Sequence, residues 1–236
     1  MISRPAGARD TLPVPSRREQ ELRVSFSALL RVRDEGRYVL FDTLSRPGLY
    51  SPPGGVFKYF EPAGPELERL GFREQWVETR RELMRSDLRG FIPNRSMRGF
   101  RRWFDTGAYR EDSAECLRRE LIEELAEVGF PELRREVRGL TFAQVGTVVE
   151  GPGDVPGKPY RQLRRFEVHD LVATSGPGAR LRRRLVELGE DPAVGTVLCA
   201  TAEELAHGRA PRGLIAPQAA LLAYSRKIHA DIPAVF

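Results

Sequence analysis

Two cysteines in 236 residues are too few for a disulfide framework, and nothing else in the chain calls for an oxidising compartment. Cys116 falls in a helix-like stretch and Cys199 in the apolar run Thr196-Val197-Leu198-Cys199-Ala200, so both read as buried, reduced thiols. The three histidines (His169, His207 and His229) are scattered, and no zinc-ligand spacing is present. No apolar run approaches the roughly 20 residues of a membrane span, and the first residues lack a basic segment followed by an apolar one. A cytoplasmic protein without membrane contact is expected. Lysine is nearly absent: Lys58, Lys158 and Lys227 are the only ones among 38 basic residues, and the net charge is +5. Such arginine richness follows either from base composition or from a phosphate-rich ligand, because guanidinium forks match phosphate oxygens. A nucleic-acid surface calls for a continuous basic patch interleaved with aromatics. None is visible, which argues against that partner. No internal repeat or sustained heptad appears.

What is present is an ordinary apolar fraction of 41% and a length suited to one large domain, or one domain with an insertion. The most informative stretch is Asp112 to Phe130. Wound as a helix, it places Ala114, Leu117, Leu121, Leu125 and Val128 in one apolar sector. Glu120, Glu123, Glu124 and Glu127 fall together in the neighbouring sector. Like charges at these spacings each cost about 0.2–0.5 kcal/mol even when exposed. Either the strip is a solvated acidic face, or a divalent cation compensates it. Hard carboxylate oxygens suit Mg²⁺ or Mn²⁺, which commonly bridge to substrate phosphates. Asp112 and Glu115 have capping-box spacing at the start of this helix, and Gly129 followed by Pro131 supplies its stop.

The run Arg119-Glu120-Leu121-Ile122-Glu123-Glu124 resembles the core of the Nudix box, R-E-U-x-E-E with U apolar. Glu111 stands eight residues before the arginine, as in that superfamily, and Tyr50-Ser51-Pro52-Pro53-Gly54-Gly55-Val56 resembles its apolar–proline–glycine–glycine strand end. Two features depart from the pattern: residues 56–110 separate the glycines from Glu111, and Ala126 stands where the box has glycine. The long gap, with Asp87-Leu88-Arg89, Trp103-Phe104-Asp105-Thr106-Gly107 and Arg110-Glu111, is similar to the SMODS-associated Nudix group. So are Arg23-Val24-Ser25-Phe26-Ser27 and Gly54-Gly55-Val56-Phe57-Lys58-Tyr59. Proteins of that group occur beside nucleotidyltransferases that make cyclic oligonucleotide messengers in bacterial antiviral defence. The resemblance covers roughly residues 20–135. It implies an α/β fold, a Nudix-like α/β/α sandwich with a mixed central sheet and a helical insertion after the Gly-Gly strand end. It further implies Mg²⁺ (or Mn²⁺) held by Glu120, Glu123 and Glu124 with the Gly55 carbonyl. Arg119 would orient Glu120, and Glu111 and Gly54 would support the site.

Along the chain, residues 1–20 are expected to be loose, with a short helix over 16–21, and residues 21–236 to form a single domain. Val24 to Val32 and Tyr38 to Asp42 read as an opening hairpin around Glu35-Gly36. Ser51 to Val56 reads as a strand ending in the glycine pair. The insertion, 57–105, is expected to carry helices at 65–70, 75–84 and 96–104, forming a lid or a partner surface. Arg46, Lys58, Tyr59, Arg89 and Arg110 are the candidates for holding phosphate or base. Beyond the central helix, strands are expected at 140–150, 163–173 and 197–200. Helices are expected at 179–188, after Thr201, and over 215–228.

Two functions stand open. One is hydrolysis of a diphosphate linkage in a dinucleotide or nucleotide sugar, with Glu120, Glu124 and Arg119 catalytic and the general base open among Glu120, Glu150, Glu167 and Asp170. The other is a catalytically silent domain that senses a cyclic or linear nucleotide made by a neighbouring messenger-synthesising nucleotidyltransferase. A homodimer is compatible with both. On the hydrolase reading, Arg119→Ala is expected to lower turnover with the fold intact.

Overall fold

The computed structural model describes residues 20–75 and 85–224. In chain order it begins with β1 (Glu21–Arg31), β2 (Arg33–Asp34), β3 (Arg37–Thr43), β4 (Arg46–Ser51) and β5 (Gly54–Val56). The insertion follows with α1 (Gly64–Arg69), β6 (Arg73–Glu74), β7 (Arg89–Pro93) and α2 (Met97–Thr106). Then come α3 (Ser113–Glu127), α4 (Arg134–Val137), β8 (Phe142–Asp154), β9 (Arg161–Leu171) and α5 (Gly176–Glu190). The chain closes with β10 (Val197–Thr201), α6 (Ala202–His207), β11 (Arg209–Ala210), β12 (Gly213–Ile215) and a 3-10 turn, Pro217–Leu222.

β1 is buried along nearly its whole length because both of its edges and both of its faces are covered. It runs parallel to β9 on one edge. On the other edge β7 pairs antiparallel with its first half, Glu21 to Ser25, and β5 with Ser27 to Leu29. The first mixed sheet therefore runs β6-β7-β1-β9-β8 with β5 attached to β1, and the second runs β10-β3-β4-β12-β11 with β2 attached to β3. α3 packs on β1 and β5, and α5 on β10 and β3. Leu117, Leu121 and Leu125 of α3 are fully buried, as the apolar sector predicts.

The opening hairpin is a correction. Its turn is where expected, with Glu35 and Gly36 at positive φ, but it joins β3 to the two-residue β2. β1 itself belongs to the other sheet. β7 and β5 already occupy the edge of β1 that β3 would need, and just past β1 the Val39 N–H of β3 donates to the Val32 carbonyl at 3.0 Å. Residues 51–56 are likewise not one strand. Pro52 and Pro53 lack the N–H groups a ladder needs, so β4 ends in the second sheet and β5 begins in the first. The glycine pair is thereby placed at the seam between the sheets.

Within the insertion, helices form where expected at 65–70 and 96–104, and Gly71 (φ 70°) stops the first. The helix expected over 75–84 lies outside the described residues but for Gln75, and so does the segment 16–19; Glu21 opens β1 rather than ending a helix. The insertion also contributes β6 and β7, strands its sequence did not announce. Phe100 and Phe104 of α2 meet Phe26 of β1 edge-on, at 5.3 and 4.7 Å between ring centres, which anchors the insertion in the main core.

The strands expected at 140–150, 163–173 and 197–200 are present as β8, β9 and β10, and the helices as α5 and α6. The helix expected over 215–228 is replaced by β12 and the 3-10 turn, while 225–228 lie outside the described residues. Ala216 is extended (φ −63°, ψ 139°) because the ring of Pro217 disfavours the helical region for the residue before it. Among the described residues no helix is long and apolar enough to cross a membrane.

Candidate active site

α3 starts and stops by local rules. The Asp112 side chain accepts from the Glu115 N–H, the Glu115 side chain accepts from the Asp112 N–H, and the two complete a capping box. At the other end Gly129 is left-handed (φ 94°), and Phe130 and Gly129 donate to the carbonyls of Leu125 and Ala126. That is the Schellman closure, one turn beyond Ala126. With the ends fixed and the leucines buried, the acidic strip has one direction to face: the seam where β5 begins.

There the contact is close. Gly54 N–H donates to Glu124 Oε2 at 2.9 Å. A Cβ added to Gly55 would lie 2.2 Å from the Glu120 carboxylate, and one added to Gly54 (φ 115°) would lie 2.4 Å from the Ala28 carbonyl. The two glycines therefore do different work, since the obstacle at Gly54 is backbone and at Gly55 the movable end of a side chain. Gly54→Ala is expected to destabilise the fold by about 1–3 kcal/mol from backbone strain alone. Gly55→Ala is expected to keep the fold but push Glu120 aside and weaken Mn²⁺ binding. Thermal melts paired with Mn²⁺ titration separate the two outcomes.

Arg119 is the hub beneath the strip. Its guanidinium donates to both oxygens of Glu111 at 2.6 and 2.9 Å, to the Val56 carbonyl at 2.8 Å and to Glu120 Oε1 at 2.8 Å. Glu111, only 6% exposed, also accepts from the Lys58 N–H at 2.8 Å. Burial works against the charge on Arg119, but the hydrogen bonds and fields of Glu111 and Glu120 outweigh it and hold the guanidinium charged. Beside it, burial raises the affinity of Glu120 for a proton; Arg119 opposes this and Glu123 adds to it. Glu124 is raised further above the carboxylate range, by burial first and then by Glu120, with the Gly54 N–H opposing.

These carboxylates form one wall of a cavity of about 330 Å³. Glu120, Glu123, Glu124 and Glu127 line it with Gly54 and Gly55, facing Asp87 and Arg89 from the insertion. The turn between β3 and β4 and Gln218 close the side toward the second sheet. Arg89 is the one member of the expected phosphate-binding set in the wall. Tyr59 instead donates to Glu74 at 2.6 Å, and Lys58 Nζ to the Arg85 carbonyl at 2.9 Å. Arg110 lies over the Phe104 ring at 3.8 Å and bonds the carbonyls of Phe104 and Glu111, while Arg46 opens β4. Of the four carboxylates considered as general base, only Glu120 lines this cavity. Glu150 pairs with Arg164 at 2.7 Å, Glu167 with Arg165 at 3.0 Å, and Asp170 with both arms of Arg31. The buried thiol of Cys116 faces the Gly55 carbonyl at 3.6 Å, whereas Cys199 is only partly buried.

Among the cavity residues that the sequence does not single out for the site are Asp87 and Gln218. Asp87 carried a signal only as part of Asp87-Leu88-Arg89, and Gln218 carried none. Among the described residues no three acidic, histidine or cysteine side chains converge into a ready-made metal cage. Mg²⁺ does not require one: it keeps several waters and takes one or two carboxylates plus substrate phosphates. Glu120 and Glu124, held side by side at a glycine corner, fit that demand as a pair of hard oxygen donors.

A capped helix with its acidic strip against a glycine corner, inside a mixed α/β fold, defines a domain of the Nudix class. The sequence profile of the SMODS-associated NUDIX domain matches residues 21–223, and the chain belongs to that family. No curated protein matches the chain. Among solved structures it is similar to the E. coli ORF135 protein in solution, at 13% identity over 86% of each chain, with a TM-score of 0.33. A likeness that slight has no bearing on the site.

Proposed function

We propose that the domain hydrolyses a diphosphate linkage in a nucleoside diphosphate derivative, of the dinucleotide or nucleotide-sugar type, with a divalent cation, Mg²⁺ or Mn²⁺, held by Glu120 and Glu124. The observation that carries this reading is the pairing of those two carboxylates against Gly54 and Gly55 in a cavity whose other wall brings Arg89. When bound, the ion supplies positive charge to phosphate oxygens and lowers the pKa of water. Arg89 binds non-bridging oxygens of the substrate and stabilises the charge that builds on them. Arg119 fixes the rotamer of Glu120, and Glu111 fixes Arg119. The setting proposed is cytoplasmic antiviral nucleotide signalling in bacteria, beside a messenger-synthesising nucleotidyltransferase.

A second reading has an observation of its own. Glu150, Glu167 and Asp170 are paired to arginines away from the cavity. A domain that only binds a cyclic or linear nucleotide needs no base at all. The deciding experiment incubates the full chain with Mg²⁺ or Mn²⁺ and a panel of nucleotide sugars, dinucleotides and cyclic oligonucleotides. Turnover that vanishes with chelator supports the hydrolase; tight binding without turnover, indifferent to chelator, replaces it with the sensor.

A further inference from the structure

We propose that Asp87, carried by the insertion rather than by the helix of the Nudix box, is the group that accepts the proton of the attacking water. The inference rests on the hydrolase reading above. Asp87 is 6% exposed, yet it lines the same cavity as Glu120, Glu123, Glu124 and Arg89. Its place is fixed from both sides. Residues 58 and 87 form an antiparallel bridge, the Leu88 N–H donates to the Phe57 carbonyl at 2.7 Å, and the Leu88 side chain is fully buried. The backbone that carries the carboxylate is thereby fixed at the cavity wall.

Among the described residues no hydrogen bond engages its oxygens. Among the described residues its one ion pair is with Lys58 Nζ at 3.8 Å, beyond hydrogen-bonding distance. Glu120, by contrast, already accepts from Arg119 and is pressed against Gly55, and the remaining carboxylates considered as base are tied to arginines elsewhere. The charged groups that act on Asp87 are Arg89 at the start of β7, Lys58 after β5, and Glu120 and Arg119 on α3. Burial is the largest influence and, with Glu120, outweighs the three cations, so the carboxyl is pushed up to about 7. In the step, the water oxygen bonds to phosphorus as its proton passes to a carboxylate oxygen of Asp87. The bridging P–O bond breaks, the leaving phosphate keeps the electron pair, and Asp87 then returns the proton to solvent.

The test compares the full-length chain with Asp87→Asn and Asp87→Glu on whichever panel substrate is turned over. Asp87→Asn is expected to lose about a hundredfold or more in kcat with KM nearly unchanged. Asp87→Glu should restore part of the rate. Titration with Mn²⁺ alone should give the same affinity for wild type and both variants. Full turnover in Asp87→Asn, a loss confined to KM, or weakened Mn²⁺ binding overturns the assignment. An active wild type with an equally active Asp87→Asn removes Asp87 alone. An inactive wild type that still binds nucleotide removes the hydrolase reading and this inference together.

Discussion

Glu124→Gln is expected to cut metal-dependent turnover by about a hundredfold or more, a loss of about 2.7 kcal/mol of transition-state stabilisation, while the metal-free variant melts higher than wild type at pH 7 to 8. The two effects share a cause. Burial and the neighbouring Glu120 raise the carboxyl of Glu124 well above its usual range, with the Gly54 N–H the main opposing influence. The folded chain therefore holds this proton more tightly than the unfolded chain. Stability is greatest below the unfolded value of about 4.3 and falls as pH rises through the raised folded value. Glutamine keeps an acceptor for the Gly54 N–H and has no charge to desolvate, so that part of the pH dependence should vanish. Mn²⁺ should raise the melting temperature of wild type by offsetting the same repulsion, and leave the variant almost unmoved. A variant that melts below wild type at pH 8, with no stabilisation of wild type by Mn²⁺, would show that the strip is merely solvated.

Arg119→Ala is expected to cost stability as well as turnover, because the side chain sits at the centre of a buried network. Removing it strands Glu111, which is 6% exposed and would keep only the Lys58 N–H. It also leaves the Val56 carbonyl without the guanidinium that reaches it. Breaking a buried pair from one side costs about 3–5 kcal/mol, which for a domain of this size is roughly 10 °C in melting temperature. The pairing of Arg119→Ala with Glu111→Gln should recover part of that loss, because the stranded charge is then gone. Lysine is a poor replacement, since it cannot reproduce the two-pronged contact with Glu111. Circular-dichroism melts of the three variants check this, and an unchanged midpoint in Arg119→Ala would remove Arg119 from its structural role.

How much of this was legible in the sequence depended on whether the signal was local. The capping box at Asp112, the leucine stripe of α3 and the stop at Gly129 are properties of one helix, and they came out where the residues put them. The capping box at Thr201 did too. Pairing between distant strands was not local. Tyr38 to Asp42 alternates like a partner for β1, but the edge it would use is filled by residues 54–56 and 89–93, which no short window reveals. Arginines were the least legible. Arg89 and Arg110 look alike in the chain, yet one lines the cavity and the other lies flat on Phe104. The direction of a long side chain is decided by what surrounds it. Asp87 was legible only as part of Asp87-Leu88-Arg89, for a related reason: nothing in so short a stretch marks one aspartate as buried.

The pairing of β7 with β1 carries a practical consequence. Five consecutive residues of the inserted segment, Arg89 to Pro93, are zipped to Glu21–Ser25, and α2 sinks two phenylalanine rings beside Phe26. Arg89 thus belongs to a rigid wall and cannot ride on a swinging cover. Anyone trimming the segment to obtain a minimal domain would strip the central strand of half a flank, uncover its aromatic bed and discard Asp87 and Arg89 from the cavity lining. The excised piece is not an accessory to the cavity but one of its two jaws.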